Sequence, residues 1–111
     1  MQLIEINVEM FRNHVKTKLK PHNFLNIITG KNAQGKTNLL EAIFFNLTGY
    51  SYRTSNYKDL INWNSSITSV STVILKDDIE HKQCVAINKD GEKKIKINEI
   101  EKKTGIYIIE W

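Results

Sequence analysis

Ile4, Ile6 and Val8 alternate with polar neighbours, and Val15, Thr17 and Leu19 repeat the alternation after a short polar break at Arg12 to His14. A two-residue period sends successive side chains to opposite faces of an extended chain, so the spacing predicts two half-buried strands joined by a turn. Pro21, His22 and Asn23 interrupt the pattern, and the denser run Phe24, Leu25, Ile27 and Ile28 predicts a buried third strand leading straight into Gly30. From Lys36 the period lengthens. Leu39, Leu40, Ile43, Phe44 and Leu47 fall on one helical face, Asn38, Glu41 and Asn46 fall largely elsewhere, and Gly49 is placed to end the helix.

Tyr50 to Asn64 is polar and aromatic, and Asp59, Leu60, Ile61 and Trp63 point to a short helix or turn within it. Val70, Thr72 and Ile74 alternate as a strand, and Asp77-Asp78 reads as a turn. Val85 and Ile87 open a hairpin whose Asp90-Gly91 pair signals a two-residue loop, with Ile95 and Ile97 on the return arm. Glu99 to Lys103 predicts one helical turn ahead of a last apolar run, Ile106 to Ile109. No internal repeat divides the chain. The expected class is α/β, one compact mixed sheet around one principal helix with an antiparallel hairpin.

The junction between the third strand and the helix carries the chemistry. Gly30-Lys31-Asn32-Ala33-Gln34-Gly35-Lys36-Thr37 fills every fixed position of the P-loop pattern: Gly, four residues, Gly, Lys, then Ser or Thr. A polyphosphate needs several converging donors, and such a loop supplies them by aiming successive backbone N–H groups inward at the positive end of the helix dipole. Gly30 and Gly35 permit the close backbone approach, Lys36 reaches the β- and γ-phosphates, and the Thr37 hydroxyl is the expected Mg²⁺ ligand. The competing reading makes the glycines a plain strand-to-helix turn. A lysine at the positive helix end is unfavourable without an anion beside it, which weighs against that reading.

Composition narrows the setting. With 111 residues, 41% hydrophobic and 25% charged, the chain is an ordinary globular domain by length, yet small for a complete NTPase. A net charge of +4 leans towards anionic partners without choosing one. The single Cys84 excludes an internal disulfide, and His14, His22 and His81 stand too far apart for a local zinc motif. No secretory leader or membrane-length apolar run is seen, so a cytoplasmic protein without a membrane partner is expected.

Met10-Phe11-Arg12-Asn13-His14, the P-loop continuing as Asn-Leu-Leu-Glu-Ala-Ile, Ser51-Tyr52-Arg53-Thr54 and Asp59-Leu60-Ile61-Asn62-Trp63 together resemble the start of the RecF family over roughly residues 1 to 65. These are bacterial recombination-repair ATPases of the SMC-like branch of the ABC ATPases. Lys31 departs from the acidic residue often found after the first glycine, a position that contributes mainly backbone. The resemblance implies an ABC/SMC-head-like N-terminal lobe, with Arg12 and Asn13 near the nucleotide; otherwise Arg12 is a turn residue paired with a surface carboxylate. It also implies ATP and Mg²⁺ as ligands and a nucleotide-dependent homodimer. Single-stranded or gapped duplex DNA and recombination mediator proteins are the partners implied for the full-length protein, in replication, repair and the SOS response.

No apolar strand ends in the carboxylates that hold Mg²⁺ and polarise water, and no signature loop follows. Residues 1–111 are therefore expected to form one partial ATPase domain without Walker B or signature motifs, hydrolysing ATP negligibly alone. Two other classes remain open: a small stand-alone P-loop phosphotransferase, and a DNA-binding module with a vestigial loop. Lys93, Lys94, Lys96, Lys102 and Lys103 make a basic region, but Lys93 and Lys96 are expected on opposite sides of a strand, which favours a solvated hairpin.

Overall fold

The computed structural model describes residues 2–20, 33–98 and 100–102, with side chains at 2–20 and 37–98. The expected strand at Phe24 to Ile28 and the run Ile106 to Ile109 lie outside the described residues.

Six strands form one sheet: β1 (Gln2–Phe11), β2 (His14–Leu19), β3 (Ile67–Lys76), β4 (Ile79–Asn88), β5 (Lys93–Ile97) and β6 (Ile100–Lys102). Their order is β2-β1-β3-β4-β5-β6, and every pairing among them is antiparallel. The helix α1 (Ala33–Thr48) and a 3₁₀ turn, Tyr57–Leu60, come between β2 and β3 in the chain. The alternation read from the sequence decides which sheet face is covered. Ile6 and Val8 of β1, Val70 and Ile74 of β3, Val85 and Ile87 of β4, and Ile95 and Ile97 of β5 are buried in one cluster with Leu39, Ala42 and Phe45 of α1. Phe11 and Phe45 meet at 5.9 Å between ring centroids, tilted by 42°.

The three strand connections from β3 onward depend on left-handed backbone. Asp77 and Asp78, with φ of 53° and 63°, make the tight β3–β4 turn, as the pair of short polar side chains predicts. The β4–β5 connection is longer than the expected two-residue loop. Asn88 N–H donates to the Glu92 carbonyl, its Oδ1 accepts from the Asp90 and Glu92 amides, and Gly91 takes a φ of 83°. Asn88 thus acts as a side-chain clasp, so pairing resumes only at Ile87 opposite Lys93. The helical turn expected over Glu99 to Lys103 is replaced by β6, in which Ile97 pairs with Ile100 and Lys96 with Glu101. Asn98, at φ 52°, reverses the chain there while its side chain accepts from Lys82 N–H, and the free edge of β5 offers a ladder that a single helical turn cannot match. Lys94 and Lys96 are exposed and Lys93 is half-buried, in keeping with the expected alternation.

The inward face of α1 also differs from the sequence pattern. Leu40 and Phe44 are 42% and 39% exposed, whereas Asn38, Glu41 and Asn46 are buried. The sheet carries its own buried polar groups, and α1 answers several of them, although Gln83 Oε1 stays buried without a partner among the described residues. Asn46 donates to the carbonyls of Val70 (2.7 Å) and Gln83 (2.9 Å), accepts from the Thr72 hydroxyl (2.7 Å), and its carbonyl accepts from the Gln83 amide (2.6 Å). Replacing Asn46 by alanine strands several buried partners at once. A loss of about 2 kcal/mol is expected from urea unfolding, and an unchanged midpoint would show that the network contributes nothing net.

At its far end α1 is closed by Gly49, whose N–H donates to the Phe45 carbonyl at φ 81°. Lys93 reaches over from β5 to donate to the Gly49 carbonyl (2.6 Å) while its ammonium sits 4.1 Å from the Tyr50 ring centroid. Burial lowers the Lys93 pKa below its ordinary value. Among the described residues, no helix is long and apolar enough to cross a membrane.

Candidate functional site

The first turn of α1 coincides with the second half of the P-loop pattern. Gly30, Lys31 and Asn32 lie outside the described residues; Ala33, Gln34, Gly35 and Lys36 enter as helical backbone, and Thr37 is half-buried. The first turn contains no acidic residue, so nothing within it offsets the positive end of the helix dipole. The four leading N–H groups of any α-helix lack intrahelical acceptors, and a phosphate is a fitting partner for them.

Around the next turn the chain assembles a polar cluster on a buried carboxylate. Glu41, whose side chain is 0% exposed, accepts two hydrogen bonds from Arg12, at Nε (2.5 Å) and Nη2 (3.0 Å). Arg53 Nη1 (3.2 Å) and the Ser51 hydroxyl (2.6 Å) complete its shell. Burial alone would raise the Glu41 carboxyl; the Arg12 and Ser51 hydrogen bonds and the two guanidinium charges outweigh it and hold the pKa below the ordinary carboxylate value. The Glu41 hydrogen bonds hold the Arg12 guanidinium above its own ordinary value. Asn38 joins the cluster, accepting from Arg53 (2.9 Å) and donating to the Asn13 side chain (2.7 Å).

Arg12 and Asn13 form the β1–β2 turn, and Arg12 is held at φ 48°, a left-handed conformation uncommon for a side chain of this size. Its surroundings over-determine that backbone. Arg12 N–H donates to the Leu60 carbonyl (2.8 Å), Asn62 N–H to the Met10 carbonyl (2.8 Å), and the Asn62 side chain to the Arg12 carbonyl (2.7 Å). Strain kept in place by so many partners is typical of positions that present a side chain to a ligand.

The structure therefore brings Arg12 and Asn13 to the helix that starts in the P-loop, through Glu41 and Asn38. It also gives Arg12 the carboxylate partner of the competing reading, although that partner is buried on α1 and not at the surface. Glu41, Asn38, Ser51 and Asn62 escaped the sequence reading. One signal for Glu41 and Asn38 was available: they stand three apart on the arc of α1 that also holds Ala42 and Phe45, so their burial follows once that arc faces inward.

An antiparallel sheet packed on a helix that opens within a full P-loop pattern defines the N-terminal lobe of a P-loop ATPase of the RecF and SMC-head kind. A family model described as an AAA domain matches residues 5–111, and the chain belongs to that family. Its sequence is homologous to the N-terminal part of RecF. It is 40% identical over 100 residues to the DNA replication and repair protein RecF of Clostridium novyi (strain NT), covering 88% of this chain and 28% of the relative. It is 39% identical over 101 residues to the RecF of Clostridium beijerinckii (strain ATCC 51743 / NCIMB 8052), covering 91% of this chain and 28% of the relative. The chain thus spans a little over a quarter of the length of these relatives.

Among solved structures, the recombination mediator protein RecF with ATP superposes with a TM-score of 0.76 at 32% identity, over 93% of this chain and 28% of that one. A structure from work on ATP-driven dimerization and DNA-stimulated activation of SMC ATPases gives 0.78 at 22% identity, over 93% and 73%. The second likeness concerns the fold alone.

Proposed function

We propose that this chain binds ATP as its magnesium complex at the N-terminus of α1. In this reading the backbone amides from Gly30 through Lys31, Asn32, Ala33, Gln34 and Gly35 wrap the phosphates. Lys36 neutralises the β- and γ-phosphates, Thr37 ligates Mg²⁺, and Arg12 and Asn13 border the nucleotide from the β1–β2 turn. The observation that carries it is a 16-residue helix opening inside a complete P-loop pattern with no acidic residue in its first turn. The ATP-bound state of the RecF relative supports it.

For the whole protein we propose the role of a cytoplasmic DNA replication and recombinational-repair ATPase. Nucleotide joins two copies, and grip on single-stranded or gapped DNA and on recombination mediator proteins follows from that closure. Binding comes first in this scheme, and it is testable in the chain alone. Calorimetric titration with Mg-ATP should give a saturable heat that Mg-tripolyphosphate competes away and that EDTA diminishes. A flat titration at millimolar nucleotide overturns the reading.

A further inference from the structure

We propose that Lys93 is a positioning residue for the nucleotide site: its ammonium clamps the segment that brings Ser51 and Arg53 to Glu41, and so fixes Arg12 beside the phosphates. This rests on the triphosphate reading above and names a residue far from the P-loop on which that site depends.

The segment in question is poorly anchored by apolar contact. Between Gly49, at the end of α1, and Leu60 no residue is buried, and in that stretch Tyr57 alone packs partly against the core. With so little apolar cover, polar contacts at two points set where the segment lies. One is Glu41, which accepts from the Ser51 hydroxyl (2.6 Å) and from Arg53 Nη1 (3.2 Å). The other is Lys93, which donates to the Gly49 carbonyl (2.6 Å) and lies 4.1 Å from the Tyr50 ring centroid and 5.6 Å from that of Tyr57. A single cation thus holds the segment where it leaves α1 and again where the 3₁₀ turn begins.

A merely solvated lysine would avoid this position. Lys93 alternates with exposed Lys94 and Lys96 and shares the covered face of β5 with Ile95 and Ile97. Burial there disfavours the ammonium. Its partners offset that penalty. The last turn of α1 contains no basic residue, and Lys93 brings a cation to the negative pole of the helix from 44 residues away, with two aromatic rings adding to the attraction.

The effect reaches the nucleotide through Glu41. Arg12 and Arg53 share Oε1 of that carboxylate, and Asn38 links Arg53 to Asn13. Without the clamp, Ser51 and Arg53 are free to leave Glu41, and Arg12 loses the fixed arrangement that aims it. A guanidinium that must be ordered at each binding event holds its ligand more weakly than one kept in place beforehand.

The test uses Lys93→Met, which keeps an apolar stem and removes the charge, and Lys93→Arg, which keeps the cation. Relieved of the burial penalty, Lys93→Met should unfold at the wild-type urea midpoint or above it. It should nevertheless bind Mg-ATP about fivefold more weakly, as expected when one side chain is left to be ordered on binding, and Lys93→Arg should restore most of the loss. In an Arg12→Ala background Lys93→Met should weaken binding no further, because the effect passes through Arg12. In the unliganded chain, amide hydrogen exchange over residues 51–57 should quicken in Lys93→Met while that of β1, β3 and β4 stays as it was. Wild-type affinity in Lys93→Met, an unchanged exchange pattern, or an equal loss in the Arg12→Ala background overturns the clamp and leaves the phosphate cradle standing. A Lys93→Met chain that does not fold also overturns it, since Lys93 would then serve stability and not position. A wild-type chain that binds no Mg-ATP overturns both readings.

Discussion

Replacing Lys36 with alanine removes measurable Mg-ATP binding while leaving the unliganded chain as stable as before. The two halves of this expectation have one electrostatic cause. At the positive end of α1 a lysine is repelled by the helix dipole, and the first turn holds no acidic residue to offset it. Without nucleotide, losing that ammonium therefore costs nothing or relieves a small repulsion, within about 0.5 kcal/mol. In the proposed nucleotide complex the same ammonium makes charge-assisted hydrogen bonds to phosphate oxygens, and losing about 3 kcal/mol of them should weaken binding at least about a hundredfold. Thermal unfolding separates the two effects. Wild type should gain about 2.7 kcal/mol of stability at a nucleotide concentration of about 100 times Kd, and the variant almost none. Equal ATP-induced shifts in both proteins would remove Lys36 from the site.

Glu41→Ala is expected to destabilise the chain by about 3 kcal/mol, the largest effect on folding among the substitutions considered. The carboxylate is fully buried and satisfies two arginines and a serine, so its removal leaves guanidinium groups short of a partner in a partly desolvated setting. Arg12 and Arg53 remain 21% and 28% exposed, and the water available to them keeps the loss near the lower end of the range for a broken buried pair. The pH dependence follows from the lowered Glu41 pKa. Unfolded, the carboxyl binds its proton near the ordinary value of 4.5, and folded it does so only at lower pH. The unfolded state therefore takes up protons first as pH falls. Glu41's contribution is complete above that ordinary value and drains away below it, through the folded pKa. In Glu41→Gln this titration is absent, so urea midpoints measured at pH 7 and about pH 3.5 should converge between wild type and variant as pH drops. A constant gap at both pH values would mean that the ion pairs are not what Glu41 contributes.

Local chemistry was written plainly in the chain. The two-residue alternation placed Ile6, Val8, Val70, Val85 and Ile95 on the covered sheet face. The Asp77-Asp78 turn and the Gly49 helix end were legible because each depends on the torsional preferences of one or two residues. At Asp90-Gly91 the same logic found the turn but not its length. The Asn88 side chain enlarges the loop by capping two amides, a competition that a dipeptide signal does not contain.

What the sequence determined by itself was the alternating strands β1 to β5, the principal helix and the one motif whose chemistry is complete within eight consecutive residues, Gly30 to Thr37. What tertiary structure alone decided was which arc of α1 turns inward, whether Ile100–Lys102 becomes strand or helix, and which carboxylate gathers the arginines. Glu41 lies 29 residues from Arg12, and Asn62 lies 50. Periodicity reports how a segment is divided between apolar and polar, and α1 carries enough of both to face either way. The choice belongs to the sheet. Its buried Thr72 hydroxyl and the main-chain carbonyls of Val70 and Gln83 are met by the Asn46 amide, and α1 cannot supply it without also carrying Asn38 and Glu41 inside and leaving Leu40 and Phe44 the more exposed.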